Sequence, residues 1–124
     1  MPLEITETTL GKTALLTLKG TLVLGRDCDL LIEKVKSHLS AGQANLLLDF
    51  AQVNYLDSSG VSALIQSRAA AVAQGASVKL LRLTKRVHDV LQITRLSSVF
   101  EIYNDLDKAV ASFQPRPGGD SPSG

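Results

Sequence analysis

The sequence predicts an α/β fold: a mixed, mostly parallel sheet of about five strands with about four helices, opened by an N-terminal β-hairpin. Three observations carry that prediction. Short apolar or alternating runs recur between segments of helical spacing, the pattern of strands joined by crossover helices. The first two runs are separated only by a Gly-Lys turn, which is too short for a crossover. The chain has 124 residues, 44% of them hydrophobic, enough for a single domain with a real core.

The elements follow in order. In "LEITETTLGKTALLTLKG", Leu3 and Ile5, then Ala14, Leu16 and Leu18, alternate with polar residues around Gly11-Lys12 and read as the hairpin. From Arg26 to Ser40, Cys28, Leu31, Ile32, Val35 and Leu39 fall on one helical face. Asp27 and Asp29 lie in that helix's first turn and Lys34, Lys36 and His38 later, which suits its dipole. Ala41-Gly42 ends it. Asn45 to Phe50, "NLLLDF", is a continuous apolar run and reads as a central strand. After the seam Asp57-Ser58-Ser59-Gly60, a second helix is marked by Val61, Leu64, Ile65, Arg68 and Val72 and stopped at Gly75. "SVKLLRL" reads as a strand, Thr84 as the cap of a short helix carrying Val87, Val90 and Leu91, and "VFEIY" as a last strand. Leu106, Ala109, Val110 and Phe113 mark a last helix. Residues 1–114 form the expected domain; 115–124, "PRPGGDSPSG", have no apolar content and are expected to be a disordered tail.

Composition excludes several functions. With 13 basic and 12 acidic residues the net charge is +1, so no global pull toward nucleic acid or an anionic membrane exists. Aromatics are 4% with no Trp, which leaves no base-stacking platform. Bases do gather locally, at Arg68, Lys79, Arg82, Lys85, Arg86 and Arg95 against Asp89 alone. That cluster reads as a solvated face or as a docking surface for an acidic partner, and the Lys79–Arg95 stretch leaves the choice open. One cysteine, Cys28, permits no internal disulfide; its place on an apolar helix face points to a buried structural thiol. The N-terminus has no signal-peptide pattern and no run is long enough to span a bilayer, so a cytoplasmic protein is expected.

The chemistry concentrates at the seam. Structurally, either serine can cap the helix and Gly60 lets the backbone turn closely. Enzymatic readings fail on the residues. A nucleophile elbow needs glycine before its serine, where Asp57 and Leu56 stand; no P-loop exists; His88 sits beside Asp89 in an expected helix. His38 and His88 have no metal-ligand spacing, and neither a metal nor a cofactor is expected. Tyr55 fits strand packing or a partner contact, and Asp49 local hydrogen bonding to the next loop.

The stretch "LLLDFAQVNYLDSSGVSAL" resembles the signature of the STAS domain, as found in bacterial anti-sigma factor antagonists of the SpoIIAA and RsbV type. Gly20 after the second strand, Gly75-Ala76-Ser77 and "VLQITRLSSVFEIYNDLDKAV" are similar to the rest of the family pattern. The resemblance implies a binding protein and no enzyme. It implies an antagonist that binds an anti-sigma factor, itself a GHKL-type serine kinase, and so releases a sigma factor. It implies phosphorylation at Ser58, reversed by a PP2C-type phosphatase, with Asp57, Ser58, Ser59 and Gly60 as the partner-binding residues. The chain departs from the pattern at Thr21-Leu22, where an acidic residue often follows the glycine, which leaves the partner's identity open. The alternative is a STAS subunit of a transport or large signalling assembly, in which Ser58 is structural only.

Overall fold

A computed structural model describes residues 2–113. The chain runs β1 (Glu4–Leu10), β2 (Thr13–Leu22), α1 (Arg26–Ser40), β3 (Asn45–Leu56), α2 (Ser58–Ala73), β4 (Ser77–Leu81), α3 (Lys85–Ile93), β5 (Ile102–Tyr103) and α4 (Leu106–Ser112). The sheet order is β1-β2-β3-β4-β5, with β1 antiparallel to β2 and every other pair parallel. The predicted fold class, hairpin included, is the observed one. The hairpin loop is Gly11-Lys12, flanked by the Leu10–Thr13 pair. Gly11 has φ of +62°, which suits a two-residue turn whose first position is left-handed.

Because β2 to β5 step across the sheet in one direction, right-handed crossovers place α1, α2 and α3 on the same face. Ala14, Leu16 and Leu18 of β2 and Leu46, Leu48 and Phe50 of β3 point into that layer. They meet Leu31 and Val35 of α1, Leu64 of α2 and Leu91 of α3, all fully buried. The alternate residues Leu15, Leu47 and Leu81 point to the other face, where Ala109 of α4 covers them. The core is mainly aliphatic, with Phe50 and Phe100 as its buried aromatics, in keeping with the scarcity of aromatics in the chain.

Four boundaries differ from the sequence expectation. β3 continues past Phe50 to Leu56, because β2 stays paired with it as far as Leu22–Leu56 through two register shifts. In this second half only Val53 and Leu56 are buried, so the apolar run stops where the strand does not. Gly20, expected after β2, lies within it at one of those shifts, with φ of +108°. β4 ends at Leu81 because Arg82 turns left-handed, φ +53°. β5 is only two residues long; Leu96–Ser98 form a single 3₁₀ turn and Phe100 plugs the core. The expected tail at 115–124, with Met1 and Gln114, lies outside the described residues.

Candidate functional site

The seam sits at the carboxyl end of β3, beside the loop that follows β2, where α/β sheets gather their sites. Asp57 is the N-cap of α2: its backbone is extended and its Oδ1 accepts from the Gly60 N–H at 2.9 Å. Capping therefore falls to Asp57 and to neither serine, because the helix starts at Ser58 and both serines already stand in its first turn. Asp57 Oδ2 accepts from the Leu24 N–H at 3.1 Å, which ties the β2–α1 loop to the β3–α2 loop. One carboxylate thus fixes two loops.

Gly60 is required by close approach. A Cβ there would collide with the Leu22 carbonyl oxygen and stand 3.1 Å from Leu56 Cβ. The first turn of α2 consequently lies against the end of β2, and Gly60 is buried. Ser58, two residues earlier and turned to the other side of the helix, is exposed, and Ser59 is half-buried. Asp57, Ser58, Ser59 and Gly60 form one continuous element with divided labour: a cap, an open hydroxyl, a shielded hydroxyl and a contact point.

The neighbouring loop is anchored by Asp27, which sequence reading had placed only in a helix dipole. It is 5% exposed. Its oxygens accept from the Leu3 N–H (2.9 Å), the Thr21 hydroxyl (2.7 Å) and the Val23 N–H (3.2 Å). Burial opposes its charge, but these three donors and Arg26 hold its pKa below the ordinary carboxylate value. Thr21, where the family pattern often has an acid, thus serves this buried carboxylate. An acid one turn before Leu31, on the flank of the predicted apolar face, is the available signal. Beneath the same loop, Cys28 is buried and its thiol donates to the Val23 carbonyl at 3.1 Å. Burial, then Asp57, Asp27 and Asp29, raise its pKa, so it stays a thiol at neutral pH, as a structural cysteine should.

The rim carries two exposed apolar side chains, Leu24 (76% exposed) and Tyr55 (44%). The Arg86 guanidinium stands 5.6 Å from the Tyr55 ring centroid. Three others of the basic cluster have acidic partners within the molecule. Lys79 is buried on the α4 face, against Glu101 (3.2 Å), the Ser112 carbonyl and the Phe113 ring. Arg82 pairs with buried Asp49 at 3.0 Å and Lys85 with Asp89 at 2.8 Å. Neither the solvated-face nor the acidic-partner reading therefore holds for Lys79. Asp49 does bond the chain just beyond it, accepting from the Ala51 N–H at 3.0 Å, but within β3 rather than in a loop.

Among the described residues neither histidine pairs with Ser58. Among the described residues His38 pairs with Glu7 on β1 and His88 lies 4.0 Å from Asp89 on α3. No group of three His, Cys, Asp or Glu side chains among the described residues could hold a metal. No helix among them is long and apolar enough to cross a membrane.

Comparison with known proteins agrees with this architecture. No curated protein matches in sequence. Among solved structures, a Thermotoga maritima protein named as an anti-sigma factor antagonist superposes with a TM-score of 0.80 at 18% identity, over 87% of this chain and 92% of that one. The anti-sigma factor antagonist SpoIIAA in its unphosphorylated form gives 0.77 at 18% identity, over 89% and 96%. A sulfate transporter family protein from Wolinella succinogenes gives 0.66 at 15% identity, over 85% and 87%. At these identities the likeness is one of fold. The family model matches far more of the chain than a local motif would, spanning residues 5–109, and on that match the chain belongs to the STAS domain family.

Proposed function

We propose that this chain is an anti-sigma factor antagonist: a binding protein, not an enzyme, that docks an anti-sigma factor through the Asp57–Gly60 element and is switched off by phosphorylation of Ser58. The observation that carries the reading is the placement of Ser58. Its hydroxyl is exposed at the first turn of α2, on a loop fixed from both sides by Asp57. The partner is a GHKL-type serine kinase that also holds a sigma factor, and a PP2C-type phosphatase restores the hydroxyl. The setting is cytoplasmic, without direct contact to nucleic acid or membrane.

The switch has a physical basis. Phosphate adds about −1.5 to −2 charges. At a helix N-terminus the chain itself accommodates that charge, so the fold stays. At an interface the same group must be desolvated beside Asp57, and breaking such a fit costs about 2–5 kcal/mol in affinity. A pull-down from native lysate with wild type and Ser58→Asp tests this. A small kinase recovered by the wild type and lost with Ser58→Asp is the expected result. Transporter subunits that ignore the substitution would replace it with the second reading, a STAS subunit of a transport assembly, which the fold likeness to the sulfate transporter family protein favours.

A further inference from the structure

Strand β4 is only half paired on its outer side. The Leu80 and Arg82 N–H groups point outward and donate to the Glu101 and Tyr103 carbonyls, at 2.9 and 2.7 Å. The Ser77 N–H points the other way, to the Ala44 carbonyl at 2.9 Å. Alternate residues of a strand turn their backbone groups to the same side, so the Val78 N–H points outward with those of Leu80 and Arg82. β5 begins opposite Leu80, and among the described residues no strand stands beside Val78 on that side. Val78 is nevertheless buried, at 6% exposure. A buried N–H without an acceptor is costly, and native chains rarely leave one so.

The gap beside it is a cavity of about 100 Å³, bordered by Arg68 of α2, by Ser77, Val78 and Lys79 of β4, and by Glu101. Arg68 is half-buried and has no hydrogen-bond or ion-pair partner among the described residues; nor has the Ser77 hydroxyl. Lys79 adds positive charge, its hydrogens already given to Ser112 and Glu101. The opposing charge is Glu101, which is held 3.2 Å from Lys79 Nζ and accepts from the Tyr103 hydroxyl at 2.7 Å.

We propose that this cavity binds a phosphate-sized oxyanion. A guanidinium, a strand N–H and a hydroxyl border one small space, and each can donate with no acceptor supplied. A cation or an apolar ligand would leave them unsatisfied, whereas phosphate offers oxygens in several directions and suits an arginine fork. The space equals about three waters, the size of one phosphate group, with no room for a ring beside it. Arg68 lies ten residues along α2 from Ser58, about 15 Å, and the site stands apart from the proposed function.

Amide NMR of the purified full chain tests this, with sodium phosphate titrated against sodium chloride at constant ionic strength and neutral pH. Saturable shifts are expected at the Val78 amide and the Arg68 Nε–H, half complete at about 1 mM. Arg68→Gln should weaken binding at least about tenfold, and Arg68→Lys less. Glu101→Gln should strengthen it about threefold or more, because it removes the acid at the mouth. Acetate should bind at least about tenfold more weakly than phosphate. O-phosphoserine separates the two sources of the group: saturation by both assigns the site to phosphate esters as well, and saturation by phosphate alone assigns it to the free ion. Shifts that rise without saturating, saturation at the Ser59 and Gly60 amides but not at Val78, equal affinity in Arg68→Gln, or equal binding of acetate would each overturn the proposal. Should Arg68→Gln fail to fold, the Val78 amide of the wild type still decides. No outcome bears on the pull-down, which concerns Ser58.

Discussion

Helices α1 and α2 lie side by side on the same face of the sheet, yet their surfaces are built on opposite rules. On α1 the buried residues are the apolar Cys28, Leu31, Val35 and Leu39 together with the hydrogen-bonded Asp27, and Asp29, Glu33 and Lys36 face water. On α2 the buried set is Gly60, Val61, Ala63, Leu64, Ser67 and Ala71, mostly small, while Ile65 and Val72 face water. Small residues at 63, 67 and 71 form a ridge that lets α2 sit close to its neighbours. Ser67 removes its own polarity by donating to the Ala63 carbonyl at 2.8 Å. The lesson is that α1 is oriented by contrast between polar and apolar residues, and α2 by fit.

The largest predicted effect tests that difference on adjacent residues. Leu64→Ala should cost about 3 kcal/mol, because it empties a fully buried site. Ile65→Ala, one residue on, should change stability by no more than about 0.5 kcal/mol. Chemical denaturation of both variants measures the contrast, and equal losses would mean that α2 is turned the other way.

The two helices also begin differently, each beside an aspartate. Asp27→Asn should cost about 2 kcal/mol, since an amide cannot accept from three donors that a buried carboxylate now satisfies. Asp57→Asn should keep the helix cap but lose the bond from the Leu24 N–H, since an amide nitrogen cannot accept, and cost about 1 kcal/mol; Asp57→Ala, which loses both bonds, should cost about 2 kcal/mol. The pH dependence follows with a definite sign. The pKa of folded Asp27 lies below its ordinary value of 3.8. Its contribution is complete above that value and is lost as pH falls through the folded one. The wild type should therefore weaken as pH drops below about 4, and Asp27→Asn should show a shallower acid limb.

These contrasts explain what the sequence reveals and what it hides. The apolar face of α1 is legible because its periodicity is real, while buried Asp27 on its flank is not. In α2 every candidate face is apolar, so counting large residues places Ile65 and Val72 inward with Val61 and Leu64, and the small-residue ridge gives no signal. The seam is legible as a turn and a helix start, but its division of labour is not. Which of Asp57, Ser58 and Ser59 caps depends on one residue of helix boundary. The second half of β3 is hidden because it is half-exposed. Lys79 is hidden because a lysine in a short apolar strand looks the same whether it faces water or, as here, the Phe113 ring.

The outer face of α1 supplies the smallest and most exposed test. Glu7 of β1 bridges two residues of α1, with Oε2 2.8 Å from Lys34 Nζ and Oε1 2.7 Å from His38 Nε2. The Lys34 hydrogen bond, then that of His38, lowers the pKa of Glu7 despite partial desolvation. Water and salt screen such a bridge, so Glu7→Gln should lower the melting temperature by about 3 °C or less. The loss should shrink further in about 1 M salt, where the screening length is only about 3 Å. It should vanish as pH falls through the lowered pKa of Glu7, since below it both proteins carry a neutral side chain there. No such salt or acid response is expected of Ile65→Ala, because the exposed face of α2 has no charge to screen. A salt-dependent change in the Ile65 variant would remove the distinction between the two helices.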